Sequence, residues 1–489
     1  MNYGNLKKKT FSGMIWKFLE RICAQLVSLV VSIVLARILL PDDYSVVSIV
    51  AIFFTFCNVF ISGGLNTALI QKKDADIEDY STVLHITMLL ALVLYIIMFL
   101  VAPSIANLYD KEILVPVIRV MSLTFFINAF KSVLSAYTSS NLQFKKFFFS
   151  TIIGTIISAV IGIYMAIRGY GAWALVAQQM SNSLIDMMIL YFTTRFKFVF
   201  KISFNKLKYL FNYGWKIFVA SIISVIYDQI NPLIVGIKYT GADLAYYNKG
   251  QNYPGLINST ISDTLQSVLF PIMSKVQDSK EMVLNVTRKY IKVASYVIFP
   301  MMVGLFAVSD IFVEVLLTDK WLSIVPYIQI FCFSYMFNII QVGNLQAIKA
   351  IGRSDITLIL EIIKKSVYFV IILAFVFFSN SPIILAMSSI ACTIFATIVN
   401  TYPNRKLLDY RYKYQIKDLF PNFIISLIMG VVVYFVKYIN ISKVILLILQ
   451  IIVGIITYLL LSILTKNDNL SYLIDYIKTY FRKEKTNDK

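Results

Sequence analysis

The chain is poor in the residues that metalloproteins and soluble enzymes depend on. Its 489 residues include one histidine, His85, and four cysteines. A single imidazole cannot form a histidine-based metal cluster, and the absence of a CxxC pair argues against a zinc site or a disulfide framework. Each cysteine lies in an apolar run, where a free thiol packs as a small hydrophobic group. We therefore expect no metal centre, no catalytic group and no resident cofactor.

Charge is also scarce. Only 15% of the residues are charged and 58% are hydrophobic, with a mean hydropathy of +0.75. Soluble domains carry about 25% charged residues, which cover their surface. A chain with so few cannot cover its surface against water, so lipid must be the solvent for most of it. The composition predicts an integral membrane protein.

Long apolar segments recur along the whole chain. A helix needs about 20 mostly apolar residues to cross a bilayer. About fourteen segments meet this requirement. They are 15–39, 44–70, 81–104, 114–139, 147–167, 171–193, 213–237, 246–273, 290–308, 324–348, 355–378, 382–402, 419–438 and 442–465.

The lysines and arginines collect in alternate connections between these segments. Roughly 30 fall on one side of the membrane and 7 on the other. The excess marks the cytoplasmic side, so both termini are predicted to be cytoplasmic. The net charge of +19 therefore reflects the topology of the chain in the membrane. We expect membrane lipids as partners of these charges, and no nucleic acid. The smaller set is Lys111, Arg168, Lys238, Lys249, Lys320, Lys437 and Lys443.

Two halves of the chain resemble each other at an offset of about 200 residues. The string 35–43 before the second span matches 235–243 before the eighth, and Asn58 and Ser62 match Asn258 and Ser262. Six spans in each half give both halves the same orientation, as in parallel repeats. We predict an all-α fold with two six-helix bundles, 1–200 and 201–410, related by a parallel pseudo-two-fold. Two extra C-terminal helices and a basic cytoplasmic tail occupy 411–489.

Several strings together resemble one known family, the Wzx-type polysaccharide exporters, over roughly residues 10–420. The similarity is greatest to the branch of the colanic-acid and teichuronic-acid exporters, within the multidrug/oligosaccharidyl-lipid/polysaccharide flippase superfamily. Pro41 departs from the pattern, which more often has glycine before its acidic turn. The strings are 35–43 (LARILLPDD), 169–179 (GYGAWALVAQQ), 243–254 (DLAYYNKGQNYP), 269–278 (LFPIMSKVQD) and 350–355 (AIGRSD).

The resemblance implies a transporter and not an enzyme. It implies a flippase for an undecaprenyl-pyrophosphate-linked oligosaccharide in a bacterial inner membrane, working by alternating access in O-antigen, capsule or other surface polysaccharide biosynthesis. The implied partners are this lipid-linked sugar, a polysaccharide polymerase and glycosyltransferases. A proton or a sodium ion is the implied coupling ion.

Polar residues follow one face of the first span. A face this polar cannot lie against lipid tails, because a charge at the bilayer centre costs about 2.5–3.5 kcal/mol on insertion scales. A related stripe in the seventh span would line the same polar chamber. The first stripe is Lys17, Arg21, Gln25, Ser28 and Ser32, at helical spacing. The second is Asn212, Lys216, Ser221, Ser224 and Asp228.

The cations within spans are candidates for binding the pyrophosphate. Arginine grips phosphate with a two-pronged fork, and lysine adds a point charge. Arg119 has an alternative role as a residue that extends to the outer membrane surface. The candidates, in order, are Arg21, Lys216, Lys131 and Arg119, with Gln25 on the stripe of Arg21.

Acidic residues within spans are candidates for carrying the coupling ion. They are Asp228, Asp186 and Glu361. For Glu361 a local ion pair is favoured, because Lys364 and Lys365 follow at i+3 and i+4.

Two other functions stay open. A cation-coupled multidrug exporter of the same fold would prefer acids and aromatics in its cavity, whereas this chain has an excess of intramembrane cations. A polysaccharide polymerase or ligase would need a sizeable external loop with catalytic groups, and the external loops here are short.

Overall fold

The computed structural model describes residues 3–72, 74–276, 278–378 and 380–471. Within these ranges the chain is helical, with short turns and no strand. It forms two compact units, Met1–Ala245 and Tyr246–Lys489. Lys73 and the predicted basic tail from residue 472 onward lie outside the described residues. The side chains of Lys7, Lys8 and Lys9 do as well.

Nine helices lie wholly in the first unit, and a tenth begins there and continues into the second. They are α1 (Tyr3–Ile38), α2 (Pro41–Ser62), α3 (Leu65–Gln71), α4 (Ile77–Leu108), α5 (Leu114–Met121), α6 (Thr124–Ser140), α7 (Phe144–Ile167), α8 (Ala172–Thr194), α9 (Phe204–Lys238) and α10 (Gly241–Lys275).

The second unit continues from α10, and a short 3₁₀ helix (Asp319–Ile324) precedes α12. Its further helices are α11 (Lys280–Leu317), α12 (Val325–Met336), α13 (Asn338–Ala350), α14 (Ser354–Phe378), α15 (Pro382–Thr401), α16 (Asn404–Leu407), α17 (Tyr412–Val436) and α18 (Lys443–Leu464).

Eleven stretches of the described chain are helical, long and apolar enough to cross a membrane. The expectation of an all-helical, multi-pass membrane protein is therefore confirmed. The predicted spans 171–193, 246–273 and 355–378 form helices α8, α10 and α14, which are not among these eleven stretches of the described chain. The predicted number of fourteen spans is therefore not confirmed. Gln178, Gln179 and Asp186 lower the hydropathy of α8, and α14 carries Glu361 with two lysines close behind it.

Glycines shape the contact between α9 and the junction of α2 with α3. Gly64 ends the junction at φ +71°, a left-handed conformation that favours glycine. A Cβ atom on Gly64 would lie 2.3 Å from the carbonyl oxygen of Gly214 in α9. Phe218, one turn further along α9, packs edge-on against Phe60 at 5.1 Å between ring centroids. The two backbones can approach only because neither position carries a side chain.

The segments that match between the two halves of the sequence fold alike. Helix α2 begins at Pro41 and α10 at Gly241, about 200 residues later. Asp43 Oδ2 accepts a hydrogen bond from the backbone N–H of Leu40 at 2.9 Å. Asp243 Oδ2 accepts the equivalent bond from Thr240 at 3.1 Å. Both helices therefore start with the same acidic cap, which satisfies a backbone donor at the helix end.

An asparagine pair recurs in the same way. Asn128 Nδ2 in α6 donates to Asn58 Oδ1 in α2 at 3.0 Å. In the second unit Asn338 Nδ2 in α13 donates to Asn258 Oδ1 in α10 at 3.3 Å. The amides satisfy each other within helices that are otherwise apolar, where an unpaired amide is costly. Each unit thus contains the same polar link between two matching helices.

Helices α17 and α18 pack on α11 of the second unit. The Arg288 guanidinium binds the Asp418 carboxylate of α17 with two hydrogen bonds of 2.7 and 2.8 Å. Tyr296 of α11 donates to the Ser462 hydroxyl of α18 at 3.0 Å. These polar contacts attach the C-terminal pair of helices to α11 by specific bonds.

Replacing Asn128 by alanine should lower the free energy of unfolding by about 1 kcal/mol, because the carbonyl of Asn58 loses its donor inside the helix bundle. Denaturant unfolding of the purified protein in detergent measures this. Asn141→Ala is the matched control, since the exposed Asn141 amide bonds only within its own helix turn. Equal stability of the two variants would show that the asparagine link contributes nothing.

Candidate functional site

The polar stripe of α1 is only partly clear of the face on which α1 packs. Glu20, Val31 and Leu35 of α1 are buried, and Leu35 lies five full turns after Lys17, on the same side of the helix. Lys17, Arg21 and Ser28 are exposed, and Gln25 and Ser32 are half-buried. That this stripe binds substrate stays a prediction.

The stripe of α9 is similarly open. Gly214 is buried against the α2–α3 junction, whereas Lys216 two residues later points to the other side and is exposed. Asp228, two helical turns before the end of α9 at Lys238, is also exposed. Among the described residues Lys216 has no ion-pair partner, which leaves its charge available to an anion.

Two of the predicted site residues meet in one ion pair. Lys131 Nζ of α6 lies 2.6 Å from Asp186 Oδ2 of α8. The Lys131 side chain is 34% exposed and that of Asp186 is 9% exposed. The other carboxylate oxygen, Oδ1, is buried and has no hydrogen-bond partner in the described part of the chain. The pair thus joins an accessible cation to a buried, under-satisfied anion.

A glycine in α7 makes room for this carboxylate. A Cβ atom on Gly154 would lie 3.2 Å from the Asp186 backbone nitrogen and 3.3 Å from its Cβ. Helices α7 and α8 therefore pack closely at the level of Asp186. Close packing keeps water from the carboxylate and makes its charge depend on Lys131.

The remaining cation candidate, Arg119, packs on an aromatic ring. Its guanidinium carbon lies 4.1 Å from the centroid of the Phe99 ring of α4. Its Nε is buried and has no hydrogen-bond acceptor among the described residues. Cation–π contact stabilises the charge in an apolar setting.

The local ion pair expected for Glu361 is confirmed. Lys364 Nζ lies 2.6 Å from Glu361 Oε1. The Glu361 side chain is 40% exposed and that of Lys364 is 8% exposed, so the carboxylate is at the surface and the ammonium group is buried.

Among the buried charges that the sequence argument missed are one in α1 and one in α10. Glu20 of α1 is only 9% exposed; Oε2 accepts a 2.7 Å hydrogen bond from Lys17, and Oε1 a 3.2 Å bond from Thr151 of α7. Lys249, counted as a loop residue from sequence, is buried in α10 at 5.6 Å from the Trp321 ring. Lys17 three residues earlier is a signal for Glu20, whereas the ring beside Lys249 is far away in sequence.

The basic connection between α8 and α9 is held by acids at the start of α4. Lys206 Nζ lies 2.6 Å from Asp76 Oδ2 and 2.9 Å from Glu78 Oε2. The hydrogen bond from Lys206 lowers the pKa of Asp76 to about 2. Asp76 therefore stays ionised at any physiological pH, and this contact is permanent and not a pH switch.

Comparisons with known proteins agree with the fold and the motifs. The profile of the family described as "polysaccharide biosynthesis protein" matches residues 34–326, more than half of the chain. A Klebsiella pneumoniae protein named "uncharacterized membrane protein in cps region" is 27% identical, over 71% of this chain and 72% of its own. The Bacillus subtilis teichuronic acid biosynthesis protein TuaB is 22% identical over 88% and 89%.

Among solved structures, the lipid II flippase MurJ in an inward closed conformation matches with a TM-score of 0.75. The match covers 94% of this chain and all of that one, at 16% identity. The fold is therefore of the MurJ type. The resemblance to the polysaccharide exporters, which five strings of the sequence indicated, is confirmed. The prediction that the chain is a membrane transporter and not an enzyme is confirmed with it.

Replacing Lys131 by alanine should destabilise the protein by about 1–3 kcal/mol, because it leaves the buried Asp186 carboxylate without its counter-charge. Lys131→Arg should retain most of the stability. Thermal unfolding in detergent measures both, and the double variant Lys131→Ala, Asp186→Ala should be more stable than Lys131→Ala alone. If the double variant is the less stable, the two residues do not act as a pair.

Proposed function

We propose that this chain, which belongs to the polysaccharide biosynthesis protein family, is a flippase for a lipid-linked oligosaccharide. Its substrate would be an undecaprenyl-pyrophosphate-linked oligosaccharide, carried across a bacterial inner membrane by alternating access for surface polysaccharide assembly. The observation that carries the proposal is the pair of exposed cations on the two polar stripes, Arg21 of α1 and Lys216 of α9.

The proposed architecture has fourteen spans. Residues 1–200 and 201–410 would form two six-helix bundles of the same orientation, and α17 and α18 would follow them. The shared acidic caps and the two asparagine pairs support the repeat. The excess of cations in alternate connections supports cytoplasmic termini.

Arg21 is the proposed principal ligand of the pyrophosphate. A guanidinium can bind two phosphate oxygens at once, and its charge persists at any pH. Lys216 on α9 would supply a second, point-like charge, and Gln25 lies one turn from Arg21 to bond the phosphate or the first sugar. Lys131 and Arg119 have neighbours that already stabilise their charges, so they rank lower.

Asp186 is the proposed coupling residue. Its free oxygen is buried, and its other oxygen holds Lys131, so a proton or sodium ion at Asp186 would release the lysine. Asp228 is a second candidate because it is exposed on the α9 stripe. Glu361 ranks last because it is more exposed and is held by Lys364.

A cation-coupled multidrug exporter is the second candidate function. A cavity for organic cations would need a surplus of anionic groups, because a buried carboxylate is the direct counter-charge for a cation. Arg21, Lys216 and Asp228 give a surplus of positive charge on the two stripes instead.

A polysaccharide polymerase and glycosyltransferases are proposed as the partners of the protein. The glycosyltransferases would supply the substrate, and the polymerase would consume it.

Replacing Arg21 by alanine should abolish surface polysaccharide, because the pyrophosphate loses its two-pronged ligand. Arg21→Lys should retain a small fraction of activity. The measurement is the amount of polysaccharide on cells whose own exporter has been deleted, at matched membrane levels of each variant.

Arg168→Ala is the matched control, since Arg168 is an exposed arginine stacked on Tyr164 at the end of α7. It should export at the normal level. Normal polysaccharide in the Arg21→Ala strain would remove Arg21 from the site. Drug efflux by purified protein, with no movement of a lipid-linked sugar, would favour the multidrug function instead.

A further inference from the structure

A groove in the first unit lies outside both polar stripes. It is formed where α7 begins and α8 ends, and it has a volume of about 870 Å³. Three cations line one part of it, namely Lys145, Lys146 and Arg195. Apolar side chains line the rest, including Phe149, Ile153 and Phe192.

The cations in this groove have no acidic partner. Its lining contains no acidic residue, and the described residues provide no ion-pair partner for any of the three cations. Within the described ranges Lys145 has only aromatic contacts, at 5.4 and 5.8 Å from the ring centroids of Trp16 and Phe149. Both lysines also lie in the first turn of α7, where the helix dipole disfavours positive charge.

Some other cations of the same unit have acidic partners. Lys72 lies 2.7 Å from the buried Asp79, and Lys206 lies between Asp76 and Glu78. The groove differs from these sites because no acidic residue lines it. Two cations at the start of α7 and a third at the end of α8 favour an anion from outside the chain.

The apolar wall runs from these charges along the helices. Phe149 and Ile153 follow on α7 at one-turn spacing, and they are 43% and 38% exposed. Phe192, one turn before Arg195 on α8, is 71% exposed. A cationic end and an exposed apolar wall suit a lipid with a phosphate headgroup.

We propose that this groove, named the α7–α8 groove, is a capture subsite for a lipid diphosphate before translocation. The diphosphate would lie against Lys145, Lys146 and Arg195, and the first isoprenoid units would lie along Phe149, Ile153 and Phe192. A diphosphodiester carries two adjacent negative charges, which three cations match better than the single charge of a phospholipid. This inference rests on the proposed function. It places the first contact of the substrate with the protein on the predicted cytoplasmic side, where most of the lysines and arginines lie.

The test is equilibrium binding of geranylgeranyl diphosphate to the purified full chain in nanodiscs of phosphatidylcholine, measured by native mass spectrometry. The triple variant Lys145→Gln, Lys146→Gln, Arg195→Gln should bind the probe at least about tenfold more weakly, from the loss of several charge-assisted hydrogen bonds. Trp16, 5.4 Å from Lys145 and packed on Phe149, reports the location. Its fluorescence should change on binding, and Trp16→Phe should remove that change.

The control is Lys197→Gln, which removes an exposed lysine two residues beyond Arg195 and outside the groove. It should bind as the unmodified chain does. Thermal unfolding of the triple variant shows whether it is folded. If it unfolds at a lower temperature than the unmodified chain, the single variants Lys145→Gln and Lys146→Gln are tested in its place, and each is expected to weaken binding.

Two results would overturn the subsite. One is equal binding of the probe by the triple variant and the unmodified chain. The other is displacement of the probe by an equal concentration of phosphatidylglycerol, which would make the groove a general site for anionic phospholipid. Either result leaves the proposed function intact if Arg21→Ala still abolishes export, because Arg21 does not line the groove.

Discussion

A polar or charged side chain inside a bilayer must meet a partner or water, and the arrangement of this molecule follows from that constraint. The chain meets it in two ways. Some groups are paired within a unit, as Lys131 is with Asp186 and Asn58 is with Asn128. Others are exposed, as Arg21 and Lys216 are. Pairing within a unit holds helices together, and the exposed cations are the proposed ligands of the substrate.

The constraint also explains which parts of the fold the sequence could predict. Apolar runs are local signals, so most of the spans could be predicted by reading along the chain. Their even number, inferred from the lysine and arginine bias, stays a prediction. The match of Asn58 with Asn258 was visible at the repeat offset. The hydrogen bonds of these two asparagines could not be predicted. Their partners, Asn128 and Asn338, are 70 and 80 residues away in sequence, and only the packing of the helices brings them together.

The same limit applies to the site. Spacing correctly predicted the Glu361–Lys364 pair, whereas the role of the polar stripe on α1 stays a prediction. Lys131 and Asp186 were assigned separate roles because 55 positions of sequence separate them, and only the packing of α6 on α8 brings them to 2.6 Å. Cations in the α7–α8 groove were assigned to topology alone. Sequence counts charges, but only a structure shows which of them have a counter-charge.

The two units differ at one revealing position. In the helix pair of the second unit that matches α6 and α8, Gln341 takes the place of Lys131 and Ala396 the place of Asp186, at the same offset of about 210 residues. Gln341 Nε2 donates to the Thr393 carbonyl and the Thr397 hydroxyl of α15, each at 3.4 Å. A neutral bond of this kind is insensitive to protons and small cations, whereas the ion pair depends on both. The matching positions of the two units are therefore joined by an ion pair in the first unit and by neutral hydrogen bonds in the second.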